Sequence, residues 1–183
     1  MPASPAPRQL DSERLTLRRW IDSDRPSFAE LNADAEVMRY FPAPLSPDAS
    51  DAFVDRVEAH FDEHGFGLWA VETKTDHAFI GFVGLWPASF SAHFTPAVEV
   101  GWRLARHAWG VGFAPEAASV ALADGFGRLG LAEIVSFTAA INTPSRRVME
   151  KVGMSRDPSD DFDHPKVAEG DPLQRHVLYR LHR

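Results

Sequence analysis

The spacing of apolar residues near the start of the chain predicts a strand followed by helical structure. Residues 13–20 alternate polar and apolar side chains, with Leu15 and Leu17 on one face, and this period of two is typical of a half-buried strand. The polar residues at 22–24 predict the start of a helix. Residues 37–42 predict a short helical turn that a proline closes.

A longer helix and a hairpin are predicted next. Ser46 and Pro47 mark the helix start, because serine caps free N–H groups and proline suits the first helical turn. An apolar stripe at every fourth position supports this helix and stops at a glycine; its residues are Phe53, Val57 and Phe61, followed by Gly65. Residues 68–72 and 78–86 are apolar runs joined by a short polar segment, which predicts a hairpin of two strands.

The second half of the chain alternates strands and helices around a glycine-containing turn. In order, the pattern predicts a strand at 97–105, the turn at 106–112 and a helix at 115–129. It then predicts a strand at 134–138, a helix at 143–153 and a final strand at 176–181. This order predicts an α/β (α+β) fold of one domain, in which helices flank a mixed central sheet.

Composition excludes several classes of function. The chain has 183 residues, with 19 Lys and Arg against 26 Asp and Glu, and therefore a net charge of −7. A broad nucleic-acid surface needs a basic footprint, so we expect no nucleic-acid partner. The charge suits a small anionic ligand held locally, or a cationic acceptor. The absence of cysteine excludes disulfides, thiolate metal sites and a covalent acyl-thioenzyme.

The proline-rich start of the chain differs from the rest. Residues 1–10 predict a disordered tail and residues 11–183 a single domain. The first residues lack the charged and apolar regions of a signal peptide, and no apolar run approaches the roughly 20 residues that a membrane helix needs. We therefore expect a cytoplasmic protein with no membrane partner.

The glycine-containing turn indicates an anion site. Gly110 and Gly112 allow a ligand to approach the backbone, and the helix predicted from Pro115 directs unpaired N–H groups at that ligand. Together with the helix dipole, these groups favour an anion such as a phosphate. Nearby side chains add positive charge, namely Arg103, Arg106 and His107. The alternative is that a turn between strand and helix needs glycine and proline for structural reasons only.

Two common phosphate-binding motifs do not fit this turn. A Walker loop requires Gly-Lys followed by Ser or Thr, which the chain lacks. The dinucleotide fingerprint requires Gly or Ala where Pro115 stands and an acid at the end of the next strand, whereas Glu133 begins that strand. Both mismatches argue against NAD.

A metal site is a further alternative. His60, Glu63 and His64 fit the inverted zinc-protease pattern His-x-x-Glu-His, in which two histidines one helical turn apart share a metal. However, Gly65 ends the helix immediately, and no third ligand stands out downstream. Packing of the apolar stripe already explains the helix, so we expect no metal.

Several segments, in order and with matching spacing, resemble the GNAT acyltransferases, in particular their Rim-type (ribosomal-protein N-acetyltransferase-like) branch. Residues 107–112 are similar to motif A, Gln/Arg-x-x-Gly-x-Gly/Ala, with His107 at the usual Gln/Arg position and Arg106 beside it. Residues 109–117 resemble the branch signature Gly-x-Gly-Tyr/Phe-Ala-x-Glu-Ala. The remaining similarity lies in residues 12–20, 37–41, 129–134 and 142–154.

The resemblance implies a GNAT-like fold with a mixed, mostly antiparallel sheet whose splayed strands bind coenzyme A. It places the pyrophosphate over the glycine turn, the pantetheine along the strand edge at residues 99–104, and a backbone amide of residues 102–104 against the thioester oxygen. The cofactor residues that it implies are Trp102, Arg103, Leu104, Arg106, His107, Ala108, Trp109, Gly110, Val111, Gly112, Phe113, Ala114, Asn142 and Ser145.

The resemblance also implies catalytic groups. A base must take the proton of the acceptor amine, and Glu99 is the leading candidate, with a pKa expected to be low enough to leave it ionised. The alternatives are an ordinary outward-facing charge at Glu99, or a base in the late acidic loop at Asp161, Asp163 or His164. Ser145 occupies the position to which the Rim-type branch assigns the acid for the leaving thiolate. Its alternative role, and that of Asn142, is to start a helix.

The predicted function is a CoA-dependent N-acetyltransferase that moves an acetyl group from acetyl-CoA directly to a primary amine. The amine belongs either to a protein N-terminus or to a small molecule. The alternative is a non-catalytic module that binds acyl-CoA. The expected partners are acetyl-CoA and the amine acceptor, and the protein is expected to be a monomer or a homodimer.

Overall fold

Ordered structure begins close to the N-terminus in the computed structural model, which describes residues 6–183. The first part of the predicted disordered tail, residues 1–5, lies outside the described residues. Gln9 and Leu10 belong to a strand that pairs with the next strand. The folded domain therefore begins before residue 11, where the sequence pattern placed its boundary.

The secondary structure consists of nine strands and five α-helices in the described part of the chain. The strands are β1 (Gln9–Asp11), β2 (Leu15–Arg18), β3 (Leu68–Thr73), β4 (Phe79–Pro87), β5 (Val98–Leu104), β6 (Glu133–Ala139), β7 (Ser155–Arg156), β8 (Phe162–Asp163) and β9 (Arg175–His182). The α-helices are α1 (Asp24–Ala33), α2 (Ala35–Met38), α3 (Pro47–His64), α4 (Phe113–Gly127) and α5 (Thr143–Lys151). Short 3-10 helices cover Arg106–Ala108 and Pro158–Asp160.

The strands form a single mixed sheet in the order β1-β2-β3-β4-β5-β6-β9-β7, with β8 paired to β9. The pair β5 and β6 is parallel, and the other described pairs are antiparallel. This arrangement confirms the predicted single-domain, mostly antiparallel sheet flanked by helices. The strands β7 and β8 were not predicted, because a two-residue strand carries no periodic signal.

Helices cover both faces of the sheet. On one face, the ring of Phe82 in β4 lies 6.0 Å from Phe28 of α1 and 5.4 Å from Phe53 of α3. On the other face, α4 lies so close that a Cβ at Gly125 would meet Leu85 of β4 at 2.8 Å. Because side chains alternate along a strand, Phe82 and Leu85 mark opposite faces. Helices α1 and α3 therefore lie on one side and α4 on the other.

Both predicted boundaries of α3 hold, and both predicted boundaries of α4 shift. Ser46 caps α3 by accepting a hydrogen bond from the Ala49 N–H at 3.2 Å, and Gly65 ends the helix with a φ of 73°. Helix α4 begins at Phe113 and not at Pro115, because Gly112 takes a φ of 89° and turns the chain into the helix there. It ends at Gly127, earlier than the predicted end at residue 129.

The buried stripe of α3 also differs from the prediction. Its buried residues are Ser50, Val54, Val57 and Phe61. Phe53 is only half-buried, because it lies at the edge of a cavity described below. None of the helices in residues 6–183 combines the length and the apolar character that crossing a bilayer requires.

Candidate active site

The parallel strands β5 and β6 separate soon after they meet. Their described register pair joins Glu99 and Val135, although both strands continue beyond it. Neighbouring strands in a continuous sheet lie about 4.8 Å apart and exchange backbone hydrogen bonds. The separation therefore opens a cleft between two strand edges, as expected for splayed strands.

The backbone of β5 alternates between β4 and this cleft. The Ala105 N–H donates to β4 at 2.8 Å, so residues 100, 102 and 104 turn their backbone groups the other way. Accordingly, the Val100 carbonyl accepts a hydrogen bond from the Ser136 hydroxyl of β6 at 2.9 Å. Trp102 lies beyond the last register pair, so its N–H and C=O face the cleft without a ladder partner. An extended molecule rich in amides can bind this edge as a further strand would.

The loop after β5 presents free backbone N–H groups at the start of α4. Gly110 and Gly112 have φ angles of 77° and 89°. Within the described chain, the N–H groups of residues 110–114 donate no hydrogen bond. A Cβ built on Gly110 would meet no atom within 4 Å, so the space beside it is open. Unpaired N–H groups at a helix start favour a phosphate.

Arg14 holds this loop in place from the other end of the chain. Its guanidinium donates to the Val111 carbonyl at 3.0 Å, pairs with Glu116 at 2.6 Å and lies 4.7 Å above the Phe113 ring. The sequence pattern did not identify Arg14 for this role, because Arg14 and Glu116 are 102 positions apart and meet only in the folded protein.

Three of the predicted cofactor residues lie outside the main cavity. Arg106 and His107 line a smaller depression together with Asp34, and the Arg106 guanidinium lies 3.9 Å from the Asp34 carboxylate. Val111 is about half exposed on the outer side of the loop, at 51%. These three residues therefore do not contribute to the lining of the main cavity.

The start of α5 forms the opposite wall of the cleft. The Asn142 side chain accepts a hydrogen bond from the Ser145 N–H at 3.3 Å and donates to the Thr138 hydroxyl at 2.8 Å, so it acts as the helix cap. The Ser145 hydroxyl makes no hydrogen bond with any described residue, and Ser145 lines the cavity. Arg147 and Lys151 line it as well. Their spacing of four residues could have placed both on one helix face from sequence.

A cavity of about 950 Å³ fills the cleft and extends to α2 and α3. The predicted cofactor residues that line it are Trp102, Arg103, Leu104, Ala108, Trp109, Gly110, Gly112, Phe113, Ala114, Asn142 and Ser145. Its lining is basic although the protein is acidic. The charged residues along it are Arg39, Arg56, Arg103, Arg147, Lys151 and Lys166 against Glu36 and Glu99.

Aromatic rings form the end of the cavity below α2 and α3. They belong to Tyr40, Phe41, Phe53, Phe82 and Trp86. Of these, Phe82 and Trp86 lie opposite Arg103 and Glu99 in the pairing of β4 with β5. Cross-strand partners share a face of the sheet, so both charged side chains lie on the α1 and α3 side, opposite α4.

Glu99 faces this cavity and not bulk solvent. It has no hydrogen-bond or ion-pair partner among the described residues, and burial raises its pKa to about 8. Two expectations are therefore wrong: Glu99 is not an ordinary outward-facing charge, and its pKa is not low. At neutral pH the carboxyl is mostly protonated, and its conjugate base is stronger than that of an exposed glutamate.

The alternative bases of the late loop are less suited to the task. Asp161 is bound by the Arg156 guanidinium, which lowers the pKa of the carboxyl. Asp163 is exposed and lies 3.3 Å from Arg175. His164 lines the cavity, but burial and the neighbouring His176 lower its pKa to about 4. Among these candidates, Glu99 alone combines a place on the cavity wall with a raised pKa.

The two histidines of the zinc-like motif pack against aromatic residues. The rings of His60 and His64 are 4.3 Å apart, and His60 also lies 4.4 Å from Trp86. Burial lowers the pKa of His60. In residues 6–183, no group of three His, Asp or Glu side chains is arranged to hold a metal ion.

The fold combines a splayed parallel strand pair with a glycine turn at a helix start, and both present unpaired backbone groups to one cleft. The chain belongs to the GNAT acetyltransferase family: residues 14–155 match its acetyltransferase domain.

Three known proteins illustrate this relationship. The uncharacterized protein YkkB of Bacillus subtilis is 30% identical over 150 residues, which cover 81% of this chain and 86% of that protein. A GNAT-family acetyltransferase from Bacillus anthracis superimposes with a TM-score of 0.77 at 26% identity, covering 95% of this chain and 98% of that one. RimJ of Mycobacterium smegmatis, in complex with CoA-disulfide, shares the fold with a TM-score of 0.73 at 17% identity, covering 92% and 81%.

The placement of the anion site is tested by Gly110→Ala. The new Cβ would occupy the open space beside the free N–H groups, so we expect the Kd for CoA to rise about tenfold, as for the loss of one hydrogen bond to a charged group. Isothermal titration calorimetry measures this value directly.

Gly130→Ala is the matched control for this experiment. Gly130 has a similar φ of 68° and open space around its Cβ position, but it lies in the turn after α4. Both variants carry the same backbone strain, and only Gly110→Ala is expected to weaken CoA binding. Equal CoA affinity in the two variants would rule out the placement.

Proposed function

We propose that this protein is a CoA-dependent N-acetyltransferase that transfers an acetyl group from acetyl-CoA directly to a primary amine. One observation carries the proposal: one cavity is lined both by the glycine turn at the start of α4, whose N–H groups are free, and by the half-buried carboxyl of Glu99, whose pKa is about 8. The first feature suits the phosphates of CoA, and the second suits deprotonation of an amine. The CoA-disulfide complex of RimJ supports the choice of cofactor.

The cleft would hold acetyl-CoA by its backbone. Residues 110–114 would bind the pyrophosphate through their N–H groups, and Arg147 and Lys151 add positive charge on the opposite wall. The free edge of β5 would bind the pantetheine amides, and the Trp102 N–H would donate to the thioester oxygen. Acetyl-CoA supplies the activated acyl group.

Glu99 would accept the proton of the acceptor amine. An alkyl ammonium group has a pKa near 10, so a base with a pKa of about 8 lies only about two units below it, whereas an exposed glutamate lies about six units below it. The closer match favours proton transfer. An ammonium group beside Glu99 also stabilises the ionised carboxylate, because opposite charges attract.

Ser145 would assist departure of the CoA thiolate. Its hydroxyl lines the cavity and has no hydrogen-bond partner among the described residues, so its proton is free for a ligand. The Ser145 backbone N–H is already used by the Asn142 cap. The helix cap therefore uses the backbone N–H of Ser145, whereas thiolate stabilisation would use its hydroxyl.

Turnover is tested by mixing the purified protein with acetyl-CoA and a panel of primary amines. We expect free CoA thiol to appear only with an amine present, and mass spectrometry to detect the amine with one added acetyl group. If CoA binds by calorimetry while no amine is acetylated, the protein is a non-catalytic CoA-binding member of the family.

The role of Glu99 is tested by Glu99→Gln, which keeps the shape and removes the charge. We expect kcat to fall by about 10²–10⁴, the usual contribution of a general base. In the wild type kcat/KM should rise with pH up to about 8, since the ionised carboxylate is the active form. This rise of kcat/KM with pH should be absent in the variant. An unchanged pH–rate profile would contradict the assignment.

An independent readout of the same pKa is the pH dependence of folding stability. The folded protein keeps the Glu99 proton from the ordinary pKa of 4.5 up to about 8, while the unfolded chain loses it. The unfolding free energy should therefore fall as pH rises through this window, by at most about 1.4 kcal/mol per pH unit. Denaturant titrations should show a weaker fall in Glu99→Gln.

The role of Ser145 is tested by Ser145→Ala, with Ser145→Thr as the control that keeps a hydroxyl. We expect kcat to fall about tenfold in the alanine variant while the KM for acetyl-CoA stays the same, the pattern of a group that acts in the transition state. The threonine variant should retain most activity. A wild-type kcat in Ser145→Ala would leave this residue with a structural role only.

A further inference from the structure

Arg103 is a guanidinium inside the protein without a carboxylate partner. Its Nη1 donates to the Asn32 side-chain carbonyl at 2.6 Å, and its buried Nε has no hydrogen-bond partner among the described residues. Burial lowers the pKa of Arg103 to about 10, so the group stays charged at neutral pH. A buried charge without a counter-charge is unfavourable for folding.

Arg146 also has a buried Nε without a hydrogen-bond partner among the described residues, but it does not line the cavity, whereas the half-buried Arg18 is paired with carboxylates. Arg18 lies 2.7 Å from Asp24 and 2.8 Å from Glu72. In the described chain no carboxylate lies within ion-pair distance of Arg103. The protein has 26 acidic residues against 19 basic ones, so a shortage of acidic side chains does not explain the missing partner.

The Arg103 side chain is nevertheless fixed in one position. Its guanidinium lies 4.2 Å from the Phe41 ring and 5.4 Å from the Phe82 ring. Asn32, which accepts its hydrogen bond, is itself held by a buried 2.9 Å hydrogen bond to Ser50. The guanidinium is therefore preorganised at the cavity wall, as a binding group for a ligand must be.

Arg103 lies on a different face of the sheet from the free N–H groups of the glycine turn. Arg103 pairs across the sheet with Phe82 and so lies on the α1 and α3 face, whereas the free N–H groups of residues 110–114 lie at the start of α4 on the opposite face. Glu99 shares the Arg103 face, and Gly101 between them has no atom within 4 Å of its Cβ position. The Cα atoms of Glu99 and Arg103 lie about 13 Å apart along the strand, and the space between the two side chains is open.

We propose that the acceptor is an amine that also carries a carboxylate, and that Arg103 binds this carboxylate while the amine lies near Glu99. The inference rests on the proposed acetyl transfer. A carboxylate is favoured because a planar guanidinium presents parallel N–H donors that match its two oxygens, and Arg103 lines the cavity without a carboxylate partner among the described residues. The basic Arg56, which lines the same end of the cavity, disfavours polycationic amines.

The experiment compares amines that differ only in the carboxylate. The pairs are γ-aminobutyrate with n-butylamine and β-alanine with β-alaninamide, and spermidine and O-phosphoethanolamine are added as cationic and phosphate probes. For the wild type we expect kcat/KM at least about tenfold higher for the carboxylate member of each pair. In Arg103→Gln this preference should fall to less than about threefold, and Arg103→Lys should restore part of it.

Arg8→Gln is the control for loss of one positive charge, because Arg8 is exposed and does not line the cavity. It should keep the wild-type preference. Circular dichroism and the melting temperature of Arg103→Gln without acceptor establish that the variant is folded, since the change removes both the charge and the present hydrogen bond to the buried Asn32. A folded variant that loses the preference therefore reports on binding.

Calorimetry with the CoA-loaded protein separates this inference from the proposed function. Binding of γ-aminobutyrate to the wild type that is lost in Arg103→Gln supports the carboxylate site even if no acetyl transfer is detected. Equal binding or equal kcat/KM within the pairs overturns it. So does a preference for spermidine or O-phosphoethanolamine, even when acetyl transfer itself is confirmed.

Discussion

The separation of β5 from β6 leaves backbone groups of a central strand without their usual partners. Such groups inside a protein are unfavourable unless water or a ligand satisfies them. The Trp102 backbone lies beyond the single register pair of Glu99 and Val135, and the free N–H groups of residues 110–114 continue the same edge into α4. The sheet and the helix start together form one extended row of backbone groups that an amide- and phosphate-containing molecule can complete.

The charge distribution runs against the net charge of the protein. The chain has a net charge of −7, yet basic side chains outnumber acidic ones around the cavity. Many carboxylates elsewhere are used in ion pairs, as for Arg18 with Asp24. Arg103 is left without one, although a paired charge would be more favourable for folding. A binding residue of this kind trades folding stability for affinity, as functional sites commonly do.

The surroundings of each candidate proton acceptor decide its pKa. From the sequence, Glu99 was the leading candidate, and Asp161, Asp163 and His164 were its alternatives. Burial without a partner raises the pKa of Glu99 to about 8, whereas the Arg156 guanidinium lowers that of Asp161 and burial lowers that of His164 to about 4. Burial raises the pKa of a carboxyl group and lowers that of an imidazole, because it disfavours the charged form of each.

The sequence by itself determined the order of the main elements, the helix starts at Ser46 and Asn142, and the glycine turn, because each is encoded by neighbours in the chain. The tertiary structure alone decided the features that the sequence pattern does not encode. It brought Arg14 onto the loop and moved the start of α4 to Phe113. It turned Glu99 inward with an unexpectedly high pKa and left Arg103 without a carboxylate. These properties depend on contacts between distant residues and on exclusion of water, and the local spacing of residues encodes neither.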